Sequence, residues 1–247
     1  MTSAHRAARP HTRPAQRRYF RRVLLRWFAH HQRRFLWRQT SNPFHILIGE
    51  MFLQQTDAPK VALIYRGFVK AFPTARALAH GKKSEIGRFI SQIGLNYRVE
   101  RLRSAAHLIE DRFRGRVPAD SRGLMVLPGV GPYIANAVLA SAFGRRVAVL
   151  DTNVIRVLHR FFGLRSTRPR PRTDPGLWAA AQELLPRPPK MAKRWNYAML
   201  DFAAIMCRHR NPRCVDCPCR RLCRFVATRR CRSERFQQTV RVEADLP

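Results

Sequence analysis

Apolar residues recur along this chain at spacings of three and four, the period of an amphipathic helix. Phe20, Val23, Leu24, Trp27 and Phe28 form the first such stripe. Asn42-Pro43 then supplies a cap and a first-turn proline for a helix running to about Gln55. Further helical patterns cover 59–71, 84–93, 98–113, 132–143, 152–162, 176–185 and 193–206, most of them separated by loops with glycine or proline. No stretch sustains a two-residue alternation and no internal repeat is evident, so the pattern predicts an all-α fold. Residues 1–18 carry no periodic apolar positions and read as a basic disordered tail; 226–247 read as a polar C-terminal tail.

Charge changes the picture. The chain has 48 Lys+Arg against 15 Asp+Glu, a net charge of +33. Such a field attracts polyanions, of which nucleic acid is the commonest. A generically basic surface is the alternative reading. Hydrophobic content of 45% is that of a globular protein. No apolar run is long enough to span a bilayer, and the basic N-terminus lacks the apolar segment of a secretory signal. The expectation is a soluble cytoplasmic protein, found with the nucleoid through DNA and not at a membrane.

Four features carry candidate chemistry. Leu127-Pro128-Gly129-Val130-Gly131-Pro132-Tyr133 joins two helical segments, with the whole unit at about 122–143. Its glycines permit a tight turn with positive φ, and Pro132 suits the first turn of the next helix. Backbone N–H groups of Gly129, Val130 and Gly131 would then face a phosphate at a helix N-terminus. An ordinary helix–helix corner is the alternative. All six cysteines fall between Cys207 and Cys231, inclusive, which argues for a metal site over a disulfide framework. Cys207, Cys214, Cys217 and Cys223 suit a [4Fe–4S] cluster. Zinc is the rival, although four-cysteine zinc sites usually pair two CxxC knuckles. Cys219 and Cys231 are left over as spare thiols. The loop after Cys207 brings Arg208 and Arg210 into position for phosphates.

Glu50 lies on a helix whose apolar face includes Ile46 and Leu53. An acid on a buried stripe keeps its proton near neutrality and so can donate it. An ion pair with one of the many arginines is the competing reading. Asp151 follows an apolar segment and opens the 152–162 helix. Asp is a favoured N-cap, which is explanation enough. The functional alternative is a carboxylate that stabilises a cationic sugar.

Taken in order, Glu50 through Thr56, the glycine hairpin, Leu150-Asp151-Thr152-Asn153-Val154 and the C-x6-C-x2-C-x5-C loop resemble the helix–hairpin–helix-GPD superfamily of DNA glycosylases. The likeness runs over roughly 20–225. It implies two helical lobes with a DNA-binding cleft between them. A six-helix barrel would take 45–150, and an iron–sulfur cluster lobe would take 19–44 with 151–225. Asp151 resembles the family's catalytic aspartate, and Glu50 the glutamate of its adenine-removing branch. Where bifunctional members have an attacking lysine, this chain has Tyr133, and a phenol cannot form an imine. The resemblance therefore implies a monofunctional glycosylase, acting as a monomer on double-stranded DNA that holds a mismatched or deaminated base.

Tyr133, Ser84-Glu85-Ile86, Gln92-Ile93-Gly94-Leu95 and Gly115-Arg116-Val117-Pro118 resemble the mismatch thymine glycosylases, which points to thymine or uracil opposite guanine. Leu53-Gln54-Gln55-Thr56 resembles the adenine glycosylases, the alternative substrate class. Gln54 and Tyr97 are the candidates for filling the gap left by a flipped base, with Gln55 beside them as a DNA contact. A non-enzymatic iron–sulfur DNA-binding module is the reading from another class, and it leaves Glu50 and Asp151 without a purpose.

Overall fold

A computed structural model describes residues 12–228, and among these every regular element is helical. The described chain divides into two compact units, 34–147 with 188–193, and 12–33 with 148–187 and 194–228. The first division falls at 33/34, so 34–44 group with the following helices, whereas the sequence placed 19–44 with 151–225. Trp37 is the reason: it is buried in the core of the 34–147 unit, edge-on to Tyr65 at 5.4 Å.

That unit holds α2 (Leu36–Gln39), α3 (Pro43–Phe52), α4 (Ala58–Ala71), α5 (Ala75–His80), α6 (Lys83–Ile90), α7 (Arg98–Phe113), α8 (Ser121–Val126) and α9 (Pro132–Ser141), which follow α1 (Pro14–His31) of the other unit. α3 is its central helix. Asn42 caps it by accepting from the N–H groups of Phe44 and His45, and every residue from Ile46 to Phe52 is buried. Gly49 lets the chain around Trp37 approach, because a Cβ there would sit 2.7 Å from the Cβ of Trp37. α3 ends at Phe52, three residues short of the sequence expectation. Gln55 then takes a left-handed φ of +56°, which no helix continues through.

The other unit is built on α1, α10 (Thr152–Val157), α11 (Pro175–Leu184), most of α12 (Met191–Ile205) and α13 (Arg224–Ala227). α1 starts at Pro14, inside the stretch expected to be tail, since a proline in the first turn forfeits no helical hydrogen bond. Phe20 of α1 is the centre of an aromatic cluster, with ring centroids 4.5 Å from Phe161, 5.3 Å from Phe162 and 6.0 Å from Phe202. Truncating such a side chain typically costs about 3–5 kcal/mol. After α10 the chain widens into a π-turn, Leu158–Phe162, which ends at Gly163 with φ +75°. The sequence predicts one regular helix over 152–162. The wider turn instead buries both Phe161 and Phe162. Asp201, fully buried, accepts from the backbone N–H of Arg33 at 2.8 Å and from its Nε at 2.6 Å, which fastens the end of the α1 segment.

Candidate active site and cluster loop

The glycine hairpin forms between α8 and α9 as expected. The Val130 N–H donates to Leu127 O at 3.0 Å, and Gly129 has φ +84°. A Cβ on Gly129 would meet Arg101 Cδ at 2.2 Å. Gly131 differs from expectation: it caps α9 in an extended conformation, φ −101° and ψ −177°, with open space where a Cβ would be. One glycine therefore makes the turn, and the other leaves the helix N-terminus bare. Tyr133, in the first turn of α9, is half-buried against the same core.

Two candidate contact residues also make contacts within the protein. Gln54 Nε2 donates to Gly129 O at 2.8 Å, so its amide braces the hairpin. Tyr97 is exposed, but its ring carries the Arg101 guanidinium at 4.7 Å. Gln55 remains exposed at its left-handed position.

Glu50 is 3% exposed, on the last turns of α3 among Leu47, Ile48, Met51 and Phe52. The burial expected from its helical stripe is present. Asp151 caps α10: Oδ1 accepts from the Val154 N–H at 2.7 Å, and Oδ2 accepts from Asn153 Nδ2 at 2.7 Å. The polar chain continues beyond it. Arg156 Nη1 donates to Asn153 Oδ1 at 3.0 Å, and its Nε and Nη2 donate to the carbonyls of Cys207 and Ala203. Burial pulls the Arg156 pKa below the usual arginine value, partly offset by Cys207 and Asp151. Capping and candidate chemistry thus coincide at Asp151, whose carboxylate is held from two sides.

In the cluster loop, five cysteines line one cavity: Cys207, Cys214, Cys217, Cys219 and Cys223, with apolar walls from Phe161, Phe202, Met206 and Phe225. Cys214 is disulfide-bonded, and the other four thiols are free. Among the described residues no His, Cys, Asp or Glu group is placed to hold a single metal ion. The donor set suits a sulfur-ligated cluster in kind: thiols converge on an apolar cavity, and Arg160 and Arg156 oppose the upward shift that burial gives Cys207. Burial pushes the Cys207 and Cys223 thiols up, while a hydrogen bond with Cys219 draws Cys217 down. Cys219 was expected to be a spare thiol; it lies inside the cavity with no exposure. Its spacing of two from Cys217 was the available signal. Arg208 and Arg210 are exposed on this loop, Arg208 donating to Asn211 O at 2.9 Å. Cys231 lies outside the described residues.

A helical fold with a glycine hairpin, a buried acid on one helix and a capping aspartate on another defines a class, and the chain belongs to the HhH-GPD superfamily of base excision DNA repair proteins, whose model matches residues 48–182. Within that class it is similar to a thymine-DNA glycosylase of Aeropyrum pernix, 39% identical over 82% of this chain and 92% of the relative. A thymine/uracil-DNA glycosylase of Pyrobaculum aerophilum is 37% identical over 81% of this chain and 87% of the relative. An adenine DNA glycosylase of Mycolicibacterium smegmatis is 35% identical over 79% and 66% of the two chains. Among solved structures, a thermostable thymine-DNA glycosylase superposes with a TM-score of 0.81 at 34% identity, covering 87% of this chain and 98% of the other. A trapped endonuclease III–DNA covalent intermediate gives 0.74 at 26% identity, covering 87% and 98%. No helix among the described residues is long and apolar enough to cross a membrane.

Proposed function

We propose that this protein is a monofunctional DNA glycosylase that hydrolyses the N-glycosidic bond of thymine or uracil opposite guanine. The observation that carries the reading is the pair of carboxyl groups in contrasting settings. Glu50 is buried on α3, and Asp151 is fixed by two donors at the start of α10. Burial favours the neutral acid, the form in which Glu50 donates a proton to the departing base or orders water. Asp151, held by two donors, stabilises an oxocarbenium-like sugar through its negative charge. Extrusion of the target nucleotide costs a few kcal/mol, less at a mismatch. The N–H groups of Gly129 and Gly131 and the basic loop after Cys207 grip the strand; the Val130 N–H, expected to join them, is held by Leu127 O instead. Tyr133 has no amine to attack C1′, so water completes the reaction and the strand stays intact.

The base assignment follows the relatives, which are named thymine or thymine/uracil glycosylases. The adenine reading is supported by Leu53-Gln54-Gln55-Thr56 and by the adenine DNA glycosylases that share about a third of this sequence. Incubation with G·T, G·U, G·A and 8-oxoguanine·A duplexes, followed by hot alkali, separates the two. Breaks at the pyrimidine of G·T and G·U are expected. Breaks only in the adenine-containing duplexes would reverse the base assignment, and none in any duplex would favour the non-enzymatic module.

The same reading assigns a [4Fe–4S] cluster to Cys207, Cys214, Cys217 and Cys223. Cys214 ligates only as a reduced thiolate. Such a cluster would pin the loop that carries Arg208 and Arg210, a structural contribution. Anaerobically purified protein is expected to be brown, with iron and acid-labile sulfide in stoichiometric amounts. Stoichiometric zinc without iron would refute this assignment.

A further inference from the structure

Arg98 opens α7 with only 2% exposure, although arginine is seldom fully buried. Its Nη2 donates to the carbonyl of Gln54, and also to Thr56 Oγ1 at 2.7 Å. One guanidinium nitrogen thus holds the residues on both sides of Gln55. Gln55, between them, has φ +56°, a conformation that a residue with a Cβ adopts only at a cost. One turn along α7, Arg101 lies against Gly129, so the same helix end braces the hairpin that Gln54 also grips.

Burial lowers the Arg98 pKa, and its contacts with Tyr97 oppose that shift. The two bonds from Nη2 fix the residues on both sides of Gln55, which an apolar side chain of similar length cannot do.

We propose that Arg98 is a positioning residue: it locks the left-handed turn at Gln55, presents that exposed side chain to DNA in one orientation, and so sets the preference for mismatched over paired duplex. The inference rests on the base-excision reading above.

The test uses the full chain and two duplexes, one with non-hydrolysable 2′-fluorothymidine opposite guanine and one fully paired. Binding is measured for each by fluorescence anisotropy at a single salt concentration. Arg98→Met is expected to lose about tenfold of the mismatch preference, the worth of one charged hydrogen bond, with unchanged affinity for the paired duplex. Arg98→Lys, a more mobile point charge in place of the planar guanidinium, is expected to fall between. Gln55→Ala, which removes the presented side chain, is expected to lose the same preference, and adding Arg98→Met to it is expected to cost little more. A wild-type preference ratio in Arg98→Met would overturn the inference. So would an equal loss on both duplexes with a lowered melting temperature, or fully additive losses in the double variant. A wild-type protein that neither discriminates nor excises would remove the base-excision reading, and this inference with it.

Discussion

Asp151→Asn is expected to slow single-turnover excision of thymine from a G·T duplex by about a thousandfold, the upper end for loss of one preorganised electrostatic contact. The fold should survive it. Asparagine caps helices as well as aspartate does, and the Val154 N–H that Asp151 Oδ1 accepts at 2.7 Å still finds an oxygen. What disappears is the negative charge that the proposed mechanism sets opposite the developing sugar cation. Glu50→Gln removes a proton donor from a site of 3% exposure without changing its volume, and a loss of about 10²–10⁴-fold is expected. Both variants should bind mismatched DNA as the wild type does, because neither side chain is assigned to the phosphates. Rapid-quench measurement with enzyme in excess isolates the chemical step from product release. A rate within threefold of wild type in either variant would remove that residue from the mechanism.

The second large effect is expected at Gly129. Alanine there meets two obstacles, a backbone φ of +84° and the Arg101 side chain 2.2 Å from the new Cβ. Holding a non-glycine residue in that region costs about 1–3 kcal/mol. If the hairpin opens to relieve it, affinity for any duplex falls by about tenfold or more. Gly131→Ala is the informative partner. Its φ of −101° suits any residue, and nothing lies within 4 Å of the added Cβ, so the melting temperature should not change. A methyl group at that bare helix start should still obstruct an approaching phosphate and weaken binding. Undiminished binding by both variants would show that the hairpin does not touch DNA.

Much of this was legible in the residues. The stripe from Phe20 to Phe28 gave α1, Asn42-Pro43 gave the start of α3, and Asp151 caps its helix as its type and position suggested. Local rules sufficed there, since period, cap and proline preference all act within one turn. Arg98 lay beyond such rules. Its partners are 42 and 44 residues away, and a basic residue at a helix start looks solvent-facing from sequence. The commitment of Gln54 to Gly129, 75 residues distant, was hidden for the same reason. The π-turn at Leu158–Phe162 was equally obscure, because no local breaker precedes Gly163 and the two phenylalanines that it buries look alike in a regular helix.

The central claim is that two carboxyl groups direct water to C1′ with no attacking amine. A G·T duplex treated with the wild-type protein in the presence of sodium borohydride, then resolved on a denaturing gel before and after hot alkali, tests it most directly. The account predicts an intact strand before alkali, a break at the thymine after alkali, and no protein–DNA adduct. A borohydride-trapped covalent complex, or strand breaks without alkali, would contradict it.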